Sequence, residues 1–306
     1  MKRFALLLPV YNRPEFARQA IDSVLAQTFS DYELIVVDDG STDETRDLLR
    51  SYGTKIEVLR QENRGPENAR NVGASRADAE YLAFLDSDDL LLPTALETYD
   101  RLIEKFASPP LVLGAMTYFT EGESAPAAAP PDGALEVLVL RDFLSKDRGI
   151  AMSNSKIVIR KDVFQKAGGL RSSTPSTFHL DDYNLIMRTC TSGPCIVLIR
   201  PKTIAYRWHA ANSVWNARAM ARGILSLVHA EIRGEYPGGG ARRFARFACI
   251  GGPAFQWTWR TFKKLQVGLA LFTLVQSAPM IAASLLKKAW IFLHGNHLLD
   301  TITFFV

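Results

Sequence analysis

RFALLLPVYNRPEFARQAIDSVLAQTFSDYELIVVDDGSTDETRDLL, residues 3–49, holds two apolar runs of strand length, 4–8 and 33–37, each followed by a helix-like stretch, 14–27 and 42–51. The pattern repeats at 55–59 with 66–77, and again at 81–85 with 93–105. Pro14, Pro66 and Pro93 stand in the first turn of three of these helices, where a missing N–H costs nothing. Repeated strand–helix units predict an α/β domain whose mostly parallel sheet is covered by helices on both faces. Ligands of such sheets bind at the carboxyl ends of the strands, so the polar residues just beyond each strand are the ones to examine.

Those residues are distinctive. Pro9-Val10-Tyr11-Asn12 follows the first strand, and Asp38-Asp39-Gly40-Ser41-Thr42-Asp43 follows the second. Ser41 or Thr42 suits a helix N-cap, but a cap does not need two adjacent carboxylates. A carboxylate there can accept from a nucleobase N–H or a ribose hydroxyl, and Tyr11 offers a stacking face. After the fourth strand comes Asp86-Ser87-Asp88-Asp89, with three carboxylates in four residues. They repel one another unless a divalent cation lies between them, or unless they form a solvated acidic turn. No Gly-x-Gly-x-x-Gly or Walker loop follows any strand, which weighs against dinucleotide and P-loop readings.

Together these segments resemble the inverting glycosyltransferases of family 2, with the GT-A Rossmann-like fold. The resemblance rests on the run Leu6-Leu7-Leu8-Pro9-Val10-Tyr11-Asn12-Arg13-Pro14, on Val37-Asp38-Asp39-Gly40-Ser41, and on Ala69-Arg70-Asn71-Val72-Gly73. It continues through Phe84-Leu85-Asp86-Ser87-Asp88-Asp89, Gly168-Gly169-Leu170 and Leu180-Asp181-Asp182, and covers residues 4–215. It implies that Pro9, Tyr11, Asn12, Asp39 and Arg70 hold the base of a nucleotide sugar and nearby groups. Asp86 would stand near the ribose and the metal, Mg²⁺ or Mn²⁺, and Asp88 would bind that metal directly. Asp182 would be the general base, with Asp181, standing where glutamate is commoner, the other catalytic candidate. The Tyr206-Arg207-Trp208-His209 segment resembles the family's Arg–x–His stretch. Arg207 would meet the diphosphate, His209 the metal, and Trp208 an acceptor sugar. Asp182 is expected across the cleft from Asp88.

The implied reaction is a single displacement. An acceptor hydroxyl loses its proton to a carboxylate and attacks the anomeric carbon, inverting it, while the metal neutralises the leaving diphosphate. A uridine diphosphate sugar is the first expectation, with thymidine and guanosine donors open. The acceptor would be a glycan or a lipid-linked glycan. Residues 1–235 would form the catalytic domain, 1–115 its donor half and 116–235 its acceptor half. Two competitors remain: a nucleotidyltransferase, which would normally carry a Gly-rich basic loop early in the chain, and a catalytically silent glycan- or membrane-binding module.

The chain of 306 residues carries a formal charge of +4, and that mild average hides a split. Residues 236–306 hold eight Lys and Arg against one acidic residue, Asp300, hence +7, and 12 of the 31 aromatics. Residues 1–235 carry 28 basic and 31 acidic residues, hence −3. The 22 residues between Lys264 and Lys287 are uncharged, but Pro279 and several polar residues dilute them. Phe255, Trp259 and Phe262 recur at helical spacing beside basic residues, so a pair of interfacial helices is expected rather than a span. A surface of this kind suits the inner face of a cell membrane. No RNA- or DNA-binding motif accompanies it, so nucleic acid is not an expected partner. Cys190, Cys195 and Cys249 match no zinc spacing, and Met1 leads straight into a strand-like run. The expectation is therefore a cytoplasmic protein with buried thiols and no Cys190–Cys195 disulfide. Residues 121–134, rich in Pro and Ala, read as a loop or lid.

Overall fold

The apolar runs become strands and the stretches between them become helices. In the computed structural model, β1 (Lys2–Val10), α1 (Pro14–Leu25), β2 (Tyr32–Asp38), α2 (Thr45–Ser51), β3 (Glu57–Arg60), α3 (Pro66–Arg76) and β4 (Ala79–Phe84) alternate. Next come β5 (Leu90–Leu91), α4 (Ala95–Lys105), β6 (Leu111–Leu113), β7 (Met116–Thr120), β8 (Leu135–Leu140), β9 (Ile157–Arg160) and α5 (Lys161–Lys166). The chain continues through α6 (Asp181–Thr189), β10 (Cys195–Arg200), β11 (Ile204–Trp208) and α7 (Ala217–Ile232). It ends with α8 (Arg243–Lys263), α9 (Val267–His294) and β12 (Thr301–Phe304). The structure describes all residues except 125, 127–133, 147–148, 172–179, 295–300 and 305–306. Most of the Pro- and Ala-rich segment at 121–134 thus lies outside the described residues.

A nine-stranded sheet runs in the order β12-β8-β10-β6-β9-β4-β1-β2-β3. Seven of its strands point one way; β8 and β9 are reversed, each pairing antiparallel with both neighbours. The sheet is buried on both faces, as near-continuous apolar strands require. Along β1, Ala5 and Leu7 join one core while Phe4, Leu6 and Leu8 join the other. The first core is covered by α3, α7, α8 and α9 through residues such as Ala69, Ile224, Ile250 and Met280. The second lies under α1 and α4 through Ile21, Leu96 and Tyr99. Each fully buried Leu or Ile contributes roughly 1.5–3 kcal/mol. The three cysteines are buried and free.

A second, three-stranded sheet, β5-β11-β7, stands beside the first. Its pairing of Ile204 and Ala205 with Leu91 and Leu90 brings the 206–209 segment against the acidic turn at 86–89, more than a hundred residues earlier. The C-terminal hairpin packs through one face. A Cβ on Gly251 of α8 would meet the Met280 carbonyl oxygen of α9 at 1.9 Å, so only glycine permits this crossing. Lys287 then clamps α9 to the segment after β8 by donating to the Leu144 and Lys146 carbonyls at 3.1 and 2.7 Å. The opposite face carries Phe255, Trp259, Phe262, Leu271, Phe272 and Val275, all exposed. Among the described residues, Val267–Leu293 is the one helical stretch long and apolar enough to cross a membrane.

Candidate active site

The carboxyl ends of β1, β2 and β4 open onto a cavity of about 340 Å³. Pro9, Tyr11, Asp39, Arg70, Asp86 and Asp88 are all in its wall. The turn after β2 is built for this position. Gly40 adopts φ +83°, and a Cβ there would come within 2.9 Å of the Asn63 nitrogen. Asp38 accepts from the Ser41 N–H at 2.8 Å and pairs with Arg60 at 3.3 Å, closing the turn. Asp39 accepts from Gln61 Nε2 at 2.6 Å and from the Arg64 and Gly65 N–H groups, both at 2.9 Å. It therefore organises the loop that launches α3 while presenting an edge to the cavity. Asn12 joins the two loops: its N–H donates to Ser41 Oγ at 3.0 Å and its Oδ1 accepts from the Thr42 N–H at 2.8 Å.

The acidic turn after β4 fits a divalent cation. One carboxylate oxygen from each of Asp86, Asp88 and Asp89 lies within 4.8 Å of the others, and hard oxygen donors suit Mg²⁺ or Mn²⁺. The three are not equivalent. Asp89 is buried, with Oδ2 accepting from Ser155 Oγ at 2.6 Å and Oδ1 from the Arg207 N–H at 3.1 Å. Asp86 and Asp88 reach the cavity. Burial raises the Asp86 carboxyl, and Asp88 and Asp181 push it further, against the opposing charge of Arg70. Burial also acts on Asp88, yet its net shift is downward, because His209 and Arg13 stabilise its charge. Arg13 lies 2.8 Å from Asp88 Oδ2 and His209 Nε2 lies 2.9 Å from the same oxygen. The Ala211 N–H donates to His209 Nδ1 at 3.2 Å, a pattern that assigns the ring hydrogen to Nε2. His209 and Arg13 thus both bond the same Asp88 oxygen.

Asp181 and Asp182 open α6, where the helix dipole favours negative charge. Leu180 before them sits at φ +71°, a left-handed conformation uncommon for leucine and found where surrounding structure imposes it. Asp181 accepts from Asn154 Nδ2 at 3.1 Å and faces Arg70 at 3.7 Å. Arg70 is buried, paired with Asp86 and held charged by Asp86, Asp181 and Glu67 against the cost of burial. Asp182 lines a second cavity of about 260 Å³, together with Met152, Gln256 and Trp257. Burial, and then the charge of Asp181, pushes its carboxyl up to about 7. The two cavities share Asp86, Asn154, Asp181, Tyr206 and Ser213.

The family model described as glycosyl transferase family 2 matches residues 6–163, just over half of the chain. The chain belongs to glycosyltransferase family 2. An uncharacterized glycosyltransferase of Rickettsia felis is 32% identical to it over 188 residues, 60% of this chain and 31% of that protein. Glycosyltransferase GlyG of Streptococcus pneumoniae serotype 4 is 29% identical over 194 residues, 57% of this chain and 63% of that protein. This family 2 glycosyltransferase thus spans about a third of the length of the first relative and under two thirds of the second. The crystal structure of S. aureus TarS 1-349 has a TM-score of 0.63 at 17% identity, over 98% of this chain and 94% of that one. The same TarS fragment has been crystallised with UDP and with UDP-GlcNAc. Mannosyltransferase PcManGT from Pyrobaculum calidifontis, in complex with GDP-Man and Mn²⁺, has a TM-score of 0.52 at 19% identity, over 94% and 87% of the two chains. These likenesses show the GT-A fold.

Within the glycosyltransferase, four residues singled out from the sequence stand away from the cavity walls: His209, held against Asp88, and Asn12, Arg207 and Trp208. Asn12 joins the loops after β1 and β2. Arg207 lies behind the acidic turn, donating to the Asp88 carbonyl at 2.9 Å and to Gln19 Oε1 at 2.7 Å, between the faces of Phe16 and Phe119. Trp208 stacks on Tyr118, with centroids 5.6 Å apart. Of the cavity residues with no assigned expectation, Glu67 and Asn154 carry buried polar atoms without a partner. Glu67 is 1% exposed, its Oε2 has no hydrogen-bond partner, and burial followed by the charge of Asp181 pushes its carboxyl up to about 8. Its i,i+3 spacing to Arg70 was a legible signal. Asn154, with Oδ1 unpartnered, offered none, because it enters from a short turn far along the chain.

Proposed function

We propose that the protein transfers one sugar from a nucleoside diphosphate donor to a glycan or lipid-linked acceptor hydroxyl, by a single displacement that inverts the anomeric carbon. The observation that carries this reading is the meeting of two cavities at Asp181: one walled by Asp39, Arg70 and Asp88, the other by Asp182. The first suits the donor. Tyr11 offers a base its ring, Asp39 an acceptor edge, and Asp86 a carboxylate for a ribose hydroxyl. Mg²⁺ or Mn²⁺ held by Asp86 and Asp88 would neutralise charge on the leaving diphosphate. Asp182 takes the acceptor proton from the other cavity, so that the acceptor oxygen itself, and not a protein carboxylate, attacks the anomeric carbon. A value of about 7 suits a general base near neutral pH. Asn154 holds Asp181 in place, and Asp181 keeps Arg70 fixed against Asp86. The nucleotides bound by TarS and PcManGT support a nucleotide sugar as donor, with uridine and guanosine both open.

On this reading residues 1–235 form the catalytic domain, and 236–306 attach it to the inner face of an anionic membrane. The exposed aromatic and aliphatic side chains of α8 and α9, with Lys263, Lys264 and Lys288 exposed beside them, support an interfacial docking face. Turnover of UDP-, dTDP- and GDP-sugars with Mn²⁺ tests the catalytic reading. Asp88→Ala and Asp182→Asn should each lose turnover on the active donor; a double variant as active as the native protein refutes the assignment.

A further inference from the structure

A second aromatic surface lies on the three-stranded sheet, and its chemistry differs. Tyr118 on β7, Tyr206 and Trp208 on β11, and Trp215 in the following turn form one connected group of rings. Trp208 is 5.6 Å from Tyr118, 5.3 Å from Tyr206 and 5.3 Å from Trp215, centroid to centroid. The outer two rings are open to solvent, Tyr118 at 49% and Trp215 at 59%. Water does not favour so much clustered aromatic area unless something covers it. Trp215 is nevertheless fixed, since its indole N–H donates to the His209 carbonyl at 3.1 Å. The innermost ring, Tyr206, lies in the walls of both cavities. The group is thus a continuous path from the junction of the cavities to the surface.

Charge separates the two aromatic faces. On the hairpin's exposed face, Lys263 lies over Trp259 at 5.4 Å, an arrangement suited to anionic lipid. Within residues 116–124 and 206–216, which carry the four rings, the exposed charges are the carboxylates Glu121 and Glu123, and the basic residue Arg207 is buried. Glu121 adjoins Trp208, its N–H donating to the Trp208 carbonyl at 3.1 Å. Ser213, also exposed, lines both cavities. Apolar ring faces bordered by hydroxyl and carboxylate oxygens match a neutral saccharide, which offers C–H faces to the rings and hydroxyls to the rim. They do not match a phosphate-bearing surface.

We propose that Tyr118, Trp208 and Trp215 form a distal subsite for an acceptor oligosaccharide, holding the sugars behind the one whose hydroxyl reacts at the cavity junction. The proposal rests on the glycosyltransferase reading and adds that the acceptor is an extended, neutral glycan rather than a lone sugar. A printed array of neutral glycans of one to six residues, probed with the full-length protein and UDP, identifies a binder. The best binder and its shorter homologues are then titrated by tryptophan fluorescence. Trp215→Ala should weaken the longest glycan about tenfold and the monosaccharide less than twofold, with Trp215→Phe restoring most of the loss. UDP affinity and the thermal midpoint of Trp215→Ala serve as controls for folding. An array without a hit, equal weakening at every glycan length, or Trp215-dependent binding to phosphatidylglycerol vesicles overturns the subsite. None of these results touches nucleotide-sugar turnover, whose absence would refute the catalytic reading instead.

Discussion

Glu67 gives the cluster around Arg70 a measurable signature. It sits in the first turn of α3, 1% exposed, and burial followed by the charge of Asp181 raises its carboxyl from 4.5 to about 8. A folded-state value above the unfolded one means that the folded protein holds the proton more tightly. The resulting stabilisation is complete below about pH 4.5 and is lost as pH rises through about 8. Between pH 5 and 8 the loss spans about 2.5 units at ~1.4 kcal/mol each, or roughly 3 kcal/mol. Glu67→Gln keeps the shape and removes the titration. Urea unfolding of both proteins at pH 5, 6, 7 and 8 should show the variant gaining on the native protein by roughly 3 kcal/mol across the series. A stability difference constant to about 0.5 kcal/mol would mean that Glu67 titrates as an ordinary solvated carboxyl, and would refute the buried cluster.

Three further outcomes follow from the same geometry. Asp182 must be deprotonated to accept a proton, and its carboxyl is raised to about 7, so kcat/KM should climb with pH through about 7 and level off above it. Asp182→Asn should lose that limb along with roughly 10²–10⁴ in kcat; an unchanged pH profile would exclude it as the base. Gly251→Val forces a side chain into the Met280 carbonyl, where even a Cβ would stand at 1.9 Å, and should cost about 1–3 kcal/mol in a thermal melt. An unshifted midpoint would show that α8 and α9 cross elsewhere. Replacing Phe255 and Trp259 by Ser removes two exposed rings and should cut cosedimentation with anionic vesicles at least about tenfold; equal partitioning would exclude the hairpin face as the docking surface.

Residues 1–115 were legible because short-range rules govern them. Apolar runs buried on both faces dictate parallel strands, and the Asp, Gly and Ser residues after them can only lie at the strand ends. The positions of Pro9, Asp39 and Asp86 follow directly. What was not legible depends on long-range pairing. Nothing local announces that β9 and β8 run backwards into the sheet, or that β11 pairs with β5 and so brings His209 within 2.9 Å of Asp88 Oδ2. Arg207 has the residue type of a diphosphate ligand, but its Nε and one terminal nitrogen donate to the Asp88 carbonyl and to Gln19. Pro93 was expected within a helix and instead precedes α4, its carbonyl accepting from the Thr28 N–H at 3.0 Å. The hairpin illustrates both sides. Its amphipathic spacing announced two helices, but their tight crossing depends on Gly251 meeting Met280, a contact between residues 29 positions apart.

The stereochemistry of transfer tests the central claim most directly. ¹H NMR of the glycoside formed from the active nucleotide sugar, with Mn²⁺ replaced by diamagnetic Mg²⁺, reports the configuration at the transferred anomeric carbon, which the new glycosidic bond locks. One displacement, with Asp182 taking the acceptor proton in the cavity across from Asp88, predicts a first-formed product of configuration opposite to the donor. A first-formed product that retains the donor configuration would contradict it.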